Sequence, residues 1–195
     1  SKLHSHLAKK CFSIFMHPEE GRISFGDPIP LRNKLSSKFN STGRMSFVDF
    51  VSPDALPFPF YMIQLTSVKI GEHTLKNAPK YLLFDSGSNY GGVGTNVFKE
   101  MVEHGMTCSH GKDIVLEFEA YSNVGDLGQG TRTQLTLGPD VYCWSKTKTM
   151  LIEAEEPFGD QNPFNEEVFV FGSFFLHTFL LEFHLDEKRL GIQEL

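Results

Sequence analysis

The chain has 195 residues, 40% of them hydrophobic, which is enough to bury one substantial core within one or two small domains. No apolar run approaches the ~18–20 residues that a membrane-spanning helix needs, so no membrane span is predicted. The net charge of −6 comes with scattered rather than clustered basic residues, which argues against a nucleic-acid partner.

The N-terminal segment predicts one helix and one strand. Leu3, Leu7 and Cys11 recur at a near-helical period, which predicts an amphipathic helix over residues 2–14. Apolar and polar side chains alternate over residues 22–25, as is typical of a strand.

Residues 27–60 are rich in proline and serine and form a poor core, so they are predicted to be a long connecting segment. A short strand is expected within it at residues 45–50. The tripeptide Asn40-Ser41-Thr42 fits the acceptor pattern for N-glycosylation, which favours a secreted protein.

From Tyr61 onward, strands separated by turns are predicted, with one helix among them. Thr95 is expected to cap the helix, which runs to Glu103 and ends at His104-Gly105. Gly71-Glu72 is predicted to be a hairpin turn. The predicted strands cover residues 61–70, 81–85, 113–120, 133–137 and 168–171.

The acidic stretch at residues 153–167 favours a solvated loop over a cation site. Calcium ligation would need an orderly spacing of oxygen ligands that is absent here. No metal and no cofactor is predicted for the chain.

The most informative stretch is the apolar run 81–84, which leads directly into Asp85-Ser86-Gly87-Ser88. The tetrad cannot prolong the strand, so Asp85 is expected where a core strand breaks into a tight loop. A carboxylate at that position is costly unless hydrogen-bond donors or a second acid share its charge. Glycine permits a close backbone approach, and both serines can donate hydrogen bonds to the carboxylate or its partner.

Residues 83–88 resemble the hydrophobic-hydrophobic-Asp-Ser/Thr-Gly-Ser/Thr loop of the pepsin-like aspartic proteases. Downstream, residues 168–172 resemble the second half of that family's psi-shaped loop, a strand that ends in apolar residues and a glycine, here Phe171 and Gly172. Other segments resemble further parts of the same fold in the same order, namely the interlobe strand, the strand that opens the C-terminal lobe, and its closing helix and strands. These segments are residues 21–26, 61–70, 173–184 and 188–192.

The resemblance implies a mainly β fold, a pepsin-like acid protease lobe built as an antiparallel β-barrel or sandwich with short helices. Residues 1–60 would be the end of a first lobe, the interlobe strand and a connecting segment, and residues 61–195 a C-terminal catalytic-type lobe. It also implies a disulfide between Cys108 and Cys143, which leaves Cys11 free or facing another chain. Three reduced, buried cysteines in a reducing compartment remain an alternative.

The resemblance further implies an aspartic endopeptidase chain that acts on polypeptide substrates. Asp85 would be one of two catalytic aspartates, while Ser86, Gly87, Ser88 and Asn89 would support it or contact substrate. The family usually has a small hydroxyl residue where Asn89 stands, which puts the shape of the substrate subsites in doubt.

The sequence contains a single Asp-Ser/Thr-Gly triplet. A working site therefore needs a second aspartate from a complementary N-terminal lobe or a second chain, and zymogen processing or truncation is the preferred explanation. The expected compartment is the secretory pathway, the exterior, or an acidic vacuole or lysosome-like organelle. The alternative function is a catalytically inactive pepsin-like lobe that serves as a binding or assembly module in a larger complex.

Overall fold

The computed structural model describes residues 10–17, 20–39, 44–51, 61–154 and 163–194. The fold is mainly β, with 45% strand and 19% helix, as predicted. In chain order the strands are β1 (Cys11–His17), β2 (Glu20–Phe25), β3 (Ser46–Val51), β4 (Met62–Gln64), β5 (Ser67–Ile70), β6 (His73–Thr74), β7 (Tyr81–Phe84), β8 (Gly91–Val93), β9 (Ile114–Ala120), β10 (Thr131–Leu137), β11 (Cys143–Trp144), β12 (Thr149–Met150), β13 (Ile152–Ala154), β14 (Val168–Phe171), β15 (Phe179–His184) and β16 (Arg189–Glu194). The α-helices are α1 (Ile29–Phe39), α2 (Thr95–Glu103), α3 (Pro139–Tyr142) and α4 (Ser173–Leu176), and Pro163–Glu166 forms a 3-10 helix.

The chain divides into two compact units. The first comprises residues 1–50, 120–131 and 176–195, and the second comprises residues 51–119 and 132–175. None of the helices in the described part of the chain has both the length and the apolar character needed to traverse a bilayer.

The first unit is an antiparallel sheet in the order β3-β16-β15-β1-β2. Helix α1 packs on it through Leu31 and Leu35, which join a buried cluster with Phe15 and Phe47. This helix was missed within the segment predicted as a connection, because its remaining positions are mostly polar. Two signals favour it in retrospect: the two leucines one helical turn apart, and the Asp27 carboxylate, which accepts the backbone N–H of Ile29.

The helix predicted over residues 2–14 is wrong for residues 11–14, which belong to β1; residues 2–9 lie outside the described residues. Cys11, Ser13 and Phe15 are buried at every second position, and β1 pairs with both β15 and β2. A separation of four residues, as between Cys11 and Phe15, fits a strand face as well as a helix face, so the spacing alone was ambiguous.

The second unit contains a sheet in the order β13-β8-β14-β7-β4, with further strands in the order β10-β9-β5-β6 and a β11-β12 pair. The larger sheet is mixed rather than purely antiparallel, since β14 runs parallel to β7 and β13 parallel to β8. The strand predicted over residues 61–70 is broken into β4 and β5. The predicted turn at Gly71-Glu72 is confirmed between β5 and β6.

Helix α2 ends at Glu103 as predicted, and its C-cap is His104, followed by Gly105 with φ of +113°, but the helix begins one residue earlier than expected, at Thr95 itself. The expected cap at Thr95 is wrong. Gly94 is the N-cap without a side-chain hydrogen bond, and the Glu166 carboxylate accepts the backbone N–H groups of Asn96 and Val97 instead. A carboxylate at the positive end of the helix dipole is a favourable substitute for a local cap.

The disulfide between Cys108 and Cys143 is confirmed, and Cys11 is a buried thiol that takes no part in it. The predicted glycosylation acceptor, Asn40, lies outside the described residues. Most of the acidic stretch at residues 153–167 also lies outside them.

Candidate active site

The candidate site lies where two parallel strands of the second unit end side by side. Strands β7 and β14 pair in register from Tyr81 with Val168 to Phe84 with Phe171. The backbone N–H of Asp85 then donates to the carbonyl oxygen of Phe171 at 2.9 Å, which extends the hydrogen bonding to the end of both strands. Because parallel strands end at the same edge of a sheet, the loops that follow them emerge together.

The Asp85 carboxylate is hydrogen-bonded at both oxygens by its own loop. The backbone N–H of Gly87 donates to Oδ1 at 2.8 Å, and the Ser88 hydroxyl donates to Oδ2 at 2.9 Å. Asp85 is half-buried, whereas Ser86 and Gly87 are exposed. These bonds hold the carboxylate in one orientation at the mouth of a buried strand, which is the arrangement that the sequence predicted.

The two serines behave differently. Ser88 donates to the carboxylate, but within the described residues Ser86 makes no such bond and stays exposed. The expected hydrogen bond to the carboxylate is therefore present for Ser88, and a bond from Ser86 to a partner of Asp85 stays a prediction.

Gly172 allows the second loop to cross the first in direct backbone contact. A Cβ atom added at Gly172 would lie 2.1 Å from the carbonyl oxygen of Tyr90 and 2.8 Å from that of Ser88. The backbone N–H of Ser173 donates to the Ser88 carbonyl at 2.7 Å, and that of Phe174 to the Asn89 carbonyl at 3.2 Å. Only glycine leaves room for this crossing.

The structure thus brings together all the residues that the sequence analysis placed in the site. Phe171 packs against aromatic side chains next to both loops. Its ring stacks on Phe175 with centroids 4.9 Å apart and makes edge contact with Phe84 at 5.8 Å. The assembled residues are Asp85, Ser86, Gly87, Ser88, Asn89, Phe171 and Gly172.

An aromatic surface that was not predicted from the sequence lies beside this crossing. The Phe174 ring stacks on Tyr90 with centroids 5.7 Å apart, and Trp144 meets it edge-on at 5.1 Å. Tyr90 is 42% exposed and Trp144 39% exposed, so the group offers apolar area to solvent. Tyr90 and Trp144 are far apart in sequence, and no local pattern links them.

Chemically, an oriented carboxylate of this kind can accept a proton from water or hold one in a shared hydrogen bond. One carboxylate alone is not enough for hydrolysis by an acid pair, because polarising a carbonyl in that reaction needs a second, protonated acid at the same time.

No family model matches the chain, and no curated protein matches it either.

Proposed function

We propose that the chain is an aspartic endopeptidase chain in which Asp85 is one of two catalytic aspartates. The proposal is supported above all by the crossing of two loops at Gly172, beside a carboxylate that Gly87 and Ser88 orient. The oriented carboxylate is only half-buried, so a water molecule can reach it, as proton transfer requires.

In the proposed reaction a water molecule lies between Asp85 and a second carboxyl group. The ionised member of the pair accepts a proton from the water as its oxygen attacks the carbonyl carbon of the peptide bond. The protonated member donates a hydrogen bond to the carbonyl oxygen, so two like charges never face each other. The second acid passes its proton to the carbonyl oxygen as the tetrahedral intermediate forms. The acid that took the water's proton then donates it to the nitrogen while the other acid takes a proton back from a hydroxyl of the intermediate, so the C–N bond breaks, the amine leaves and a carboxylic acid remains.

The second carboxyl group comes, in this proposal, from a complementary N-terminal lobe or from a second chain. The reason is that Asp85 belongs to the only Asp-Ser/Thr-Gly triplet in the sequence. The two partners would present their loops to each other, so that the exposed Gly87 and Ser86 lie on the side open to the partner.

The aromatic surface of Tyr90, Trp144 and Phe174 suits an apolar side chain of a polypeptide substrate. It adjoins the Asp85 loop through the hydrogen bond from Phe174 to Asn89. Aromatic side chains provide large contact area at low cost in conformational entropy, which favours them in binding sites.

A carboxylate of the second unit, Glu117, has a pKa low enough to stay ionised in moderately acidic solution. The hydrogen bond from Lys69, followed by that from Ser67, lowers the pKa of Glu117 to about 2, and Arg132 adds to this effect. The stabilisation that these contacts provide is therefore present above the ordinary carboxyl pKa and is lost only as the pH falls towards 2.

The disulfide favours an oxidising compartment such as the secretory pathway or the exterior.

Asp85→Asn tests the proposal on the protein isolated together with any polypeptides that accompany it. We expect hydrolysis of an unfolded protein at about pH 4, where one acid of such a pair is ionised and the other protonated. The variant should lower kcat/KM on the order of 10²- to 10⁴-fold, because it removes a proton acceptor without changing the shape of the loop. A statine-type inhibitor, which mimics the tetrahedral intermediate, should block the wild-type activity.

Asp186→Asn is the matched control, since Asp186 lies in an exposed turn and its ion pair in the described part of the chain is a surface contact with Lys10. It should leave kcat/KM unchanged. Hydrolysis that is insensitive to both Asp85→Asn and the inhibitor would contradict the proposal. Absence of hydrolysis from the wild-type protein would also contradict the proposal. It would favour the alternative function, an inactive binding or assembly module, which also fits the presence of a single Asp-Ser/Thr-Gly triplet in the sequence.

A further inference from the structure

A second cluster of chemically active side chains lies in the same unit as Asp85 but belongs to other elements. His73 is in β6, Glu100 is in α2, and His104 is the residue that caps α2. One ring nitrogen from each histidine and one oxygen of Glu100 all lie within 4.8 Å of one another. Glu100 and His104 are one helical turn apart, so they share a face of the helix end.

The Glu100 carboxylate is fixed by the chain that follows β6. The backbone N–H of Lys76 donates to Oε1 at 2.8 Å, and that of Asn77 donates to Oε2 at 3.4 Å. These two N–H groups hold Glu100 as an oriented oxygen ligand.

The two imidazole rings lie against each other at the end of α2. His73 and His104 stack with centroids 3.3 Å apart and planes 12° from parallel, so rings from two different elements reach the same place. A histidine ring nitrogen is the commonest metal ligand in proteins.

One distance in the cluster fits a zinc site, and the other pairs of ligand atoms lie within 4.8 Å of each other. Bonds of about 2.0–2.1 Å in a tetrahedral site place neighbouring ligand atoms roughly 3.3 Å apart. His73 Nε2 and Glu100 Oε1 are 3.3 Å apart. Ring nitrogens bind along the ring plane, so capture of an ion requires one imidazole to rotate out of the parallel stack.

A cavity of about 600 Å³ adjoins the cluster, lined by Gly71, Glu72, His73 and Lys112. The Lys112 stem lies against both Gly71 and Gly105, with its Cδ 2.9 Å and 3.1 Å from the positions of Cβ atoms added there. The cavity gives an ion and a water molecule a route to His73.

We propose that His73, Glu100 and His104 form a three-ligand site for Zn²⁺, with water as the fourth ligand. Two imidazoles and a carboxylate are a ligand set that zinc prefers, and an open fourth position is typical of sites with three protein ligands. The bound ion would join the end of α2 to the β5–β6 hairpin. This inference does not rest on the proposed peptidase function.

Direct titration tests the site on the full chain without an affinity tag. His4 and His6 are first replaced by glutamine, because they offer alternative imidazoles for added metal. Zn²⁺ is then titrated against a chromophoric chelator at about pH 7.5, where imidazole is mostly neutral. We expect one equivalent to bind, and X-ray absorption of the bound zinc should report two imidazole ligands.

His73→Gln, Glu100→Gln and His104→Gln should each weaken the affinity by about tenfold or more, because metal sites depend strongly on each ligand. The matched control is His110→Gln, an exposed histidine outside the cluster, which should bind zinc as the wild type does. Circular dichroism of each variant without metal checks that it folds. The proposal is overturned if no stoichiometric zinc binds, if the three variants keep wild-type affinity, or if the spectrum lacks two imidazoles.

Discussion

Replacing Gly172 with alanine is expected to destabilise the protein by about 3 kcal/mol, the upper part of the range for forced overpacking. The added Cβ would lie 2.1 Å from the Tyr90 carbonyl oxygen and 2.8 Å from the Ser88 carbonyl oxygen. Both neighbours are backbone atoms, so no side-chain rotation relieves the overlap. The two loops must separate, which breaks the hydrogen bond from Ser173 to Ser88. Urea denaturation followed by circular dichroism measures the change.

Gly128→Ala is the control for this prediction, because a Cβ atom at Gly128 meets nothing within 4 Å. It should change the free energy of unfolding by no more than about 0.5 kcal/mol, as surface substitutions usually do. Equal unfolding midpoints for the two alanine variants would show that the loops can part without loss, and the description of the crossing would then be wrong. If they differ as expected, the Asp85 loop depends on Gly172 for its position.

Arg32→Met is expected to destabilise the first unit by about 3–5 kcal/mol, the loss that follows when a buried ion pair is left with one partner. The Glu182 side chain is fully buried, and it accepts hydrogen bonds from Arg32 Nε at 2.9 Å and Nη2 at 2.5 Å. His184 Nε2 lies 3.2 Å from the same carboxylate. Methionine keeps the apolar stem of the side chain but removes the charge. Among the described residues, His184 would then be the remaining side-chain hydrogen-bond partner of Glu182.

The pH dependence of this loss has a definite sign. Burial acts to raise the pKa of Glu182, but the hydrogen bonds from His184 and Arg32 outweigh it and hold the pKa below its ordinary value. The pair therefore stabilises the fold above the ordinary carboxyl pKa, and this contribution is lost as the pH falls through the lowered value. The difference between wild type and Arg32→Met should be largest near neutral pH and should shrink in acid.

Arg22→Met is the matched control, since Arg22 pairs with Glu20 at the surface. Exposed pairs of this kind contribute little, so its unfolding midpoint should stay close to that of the wild type. A similar loss in both variants, or a loss for Arg32→Met that does not vary with pH, would contradict the assignment of Glu182 as an ionised, buried partner.

The Asp85 loop could be predicted because all its determinants are local. Within eight residues, an apolar run predicts a buried strand, and the Asp-Ser-Gly-Ser that follows ends it. The same four residues supply the carboxylate and its hydrogen-bond donors, which are a backbone N–H group and a serine hydroxyl. The hydrogen bonds from Gly87 and Ser88 to Asp85 have the expected form. The exposure of Ser86 was not predictable, since it depends on which way the turn faces.

Contacts between residues that are far apart in the sequence were not predicted. The stacking of Tyr90 and Trp144 on Phe174 and the meeting of His73 with α2 arise only from the order of strands in the second unit. Helix α1 was overlooked for a different reason: it has few buried apolar side chains, namely Leu31 and Leu35, with the partly buried Phe39 beside them. Strand β1 was mistaken for a helix because Cys11 and Phe15 are spaced as either structure allows.

The dependence of kcat/KM on pH, measured from about pH 2 to 8 in wild type and Asp85→Asn, tests most directly whether Asp85 is half of an acid pair. We expect a bell-shaped profile for the wild type, with both limbs in the acidic range, because hydrolysis requires one member of the pair ionised and the other protonated. In Asp85→Asn the bell-shaped dependence should disappear. A wild-type rate that rises to a plateau at neutral pH and is unchanged in Asp85→Asn would contradict the assignment of Asp85 to an acid pair.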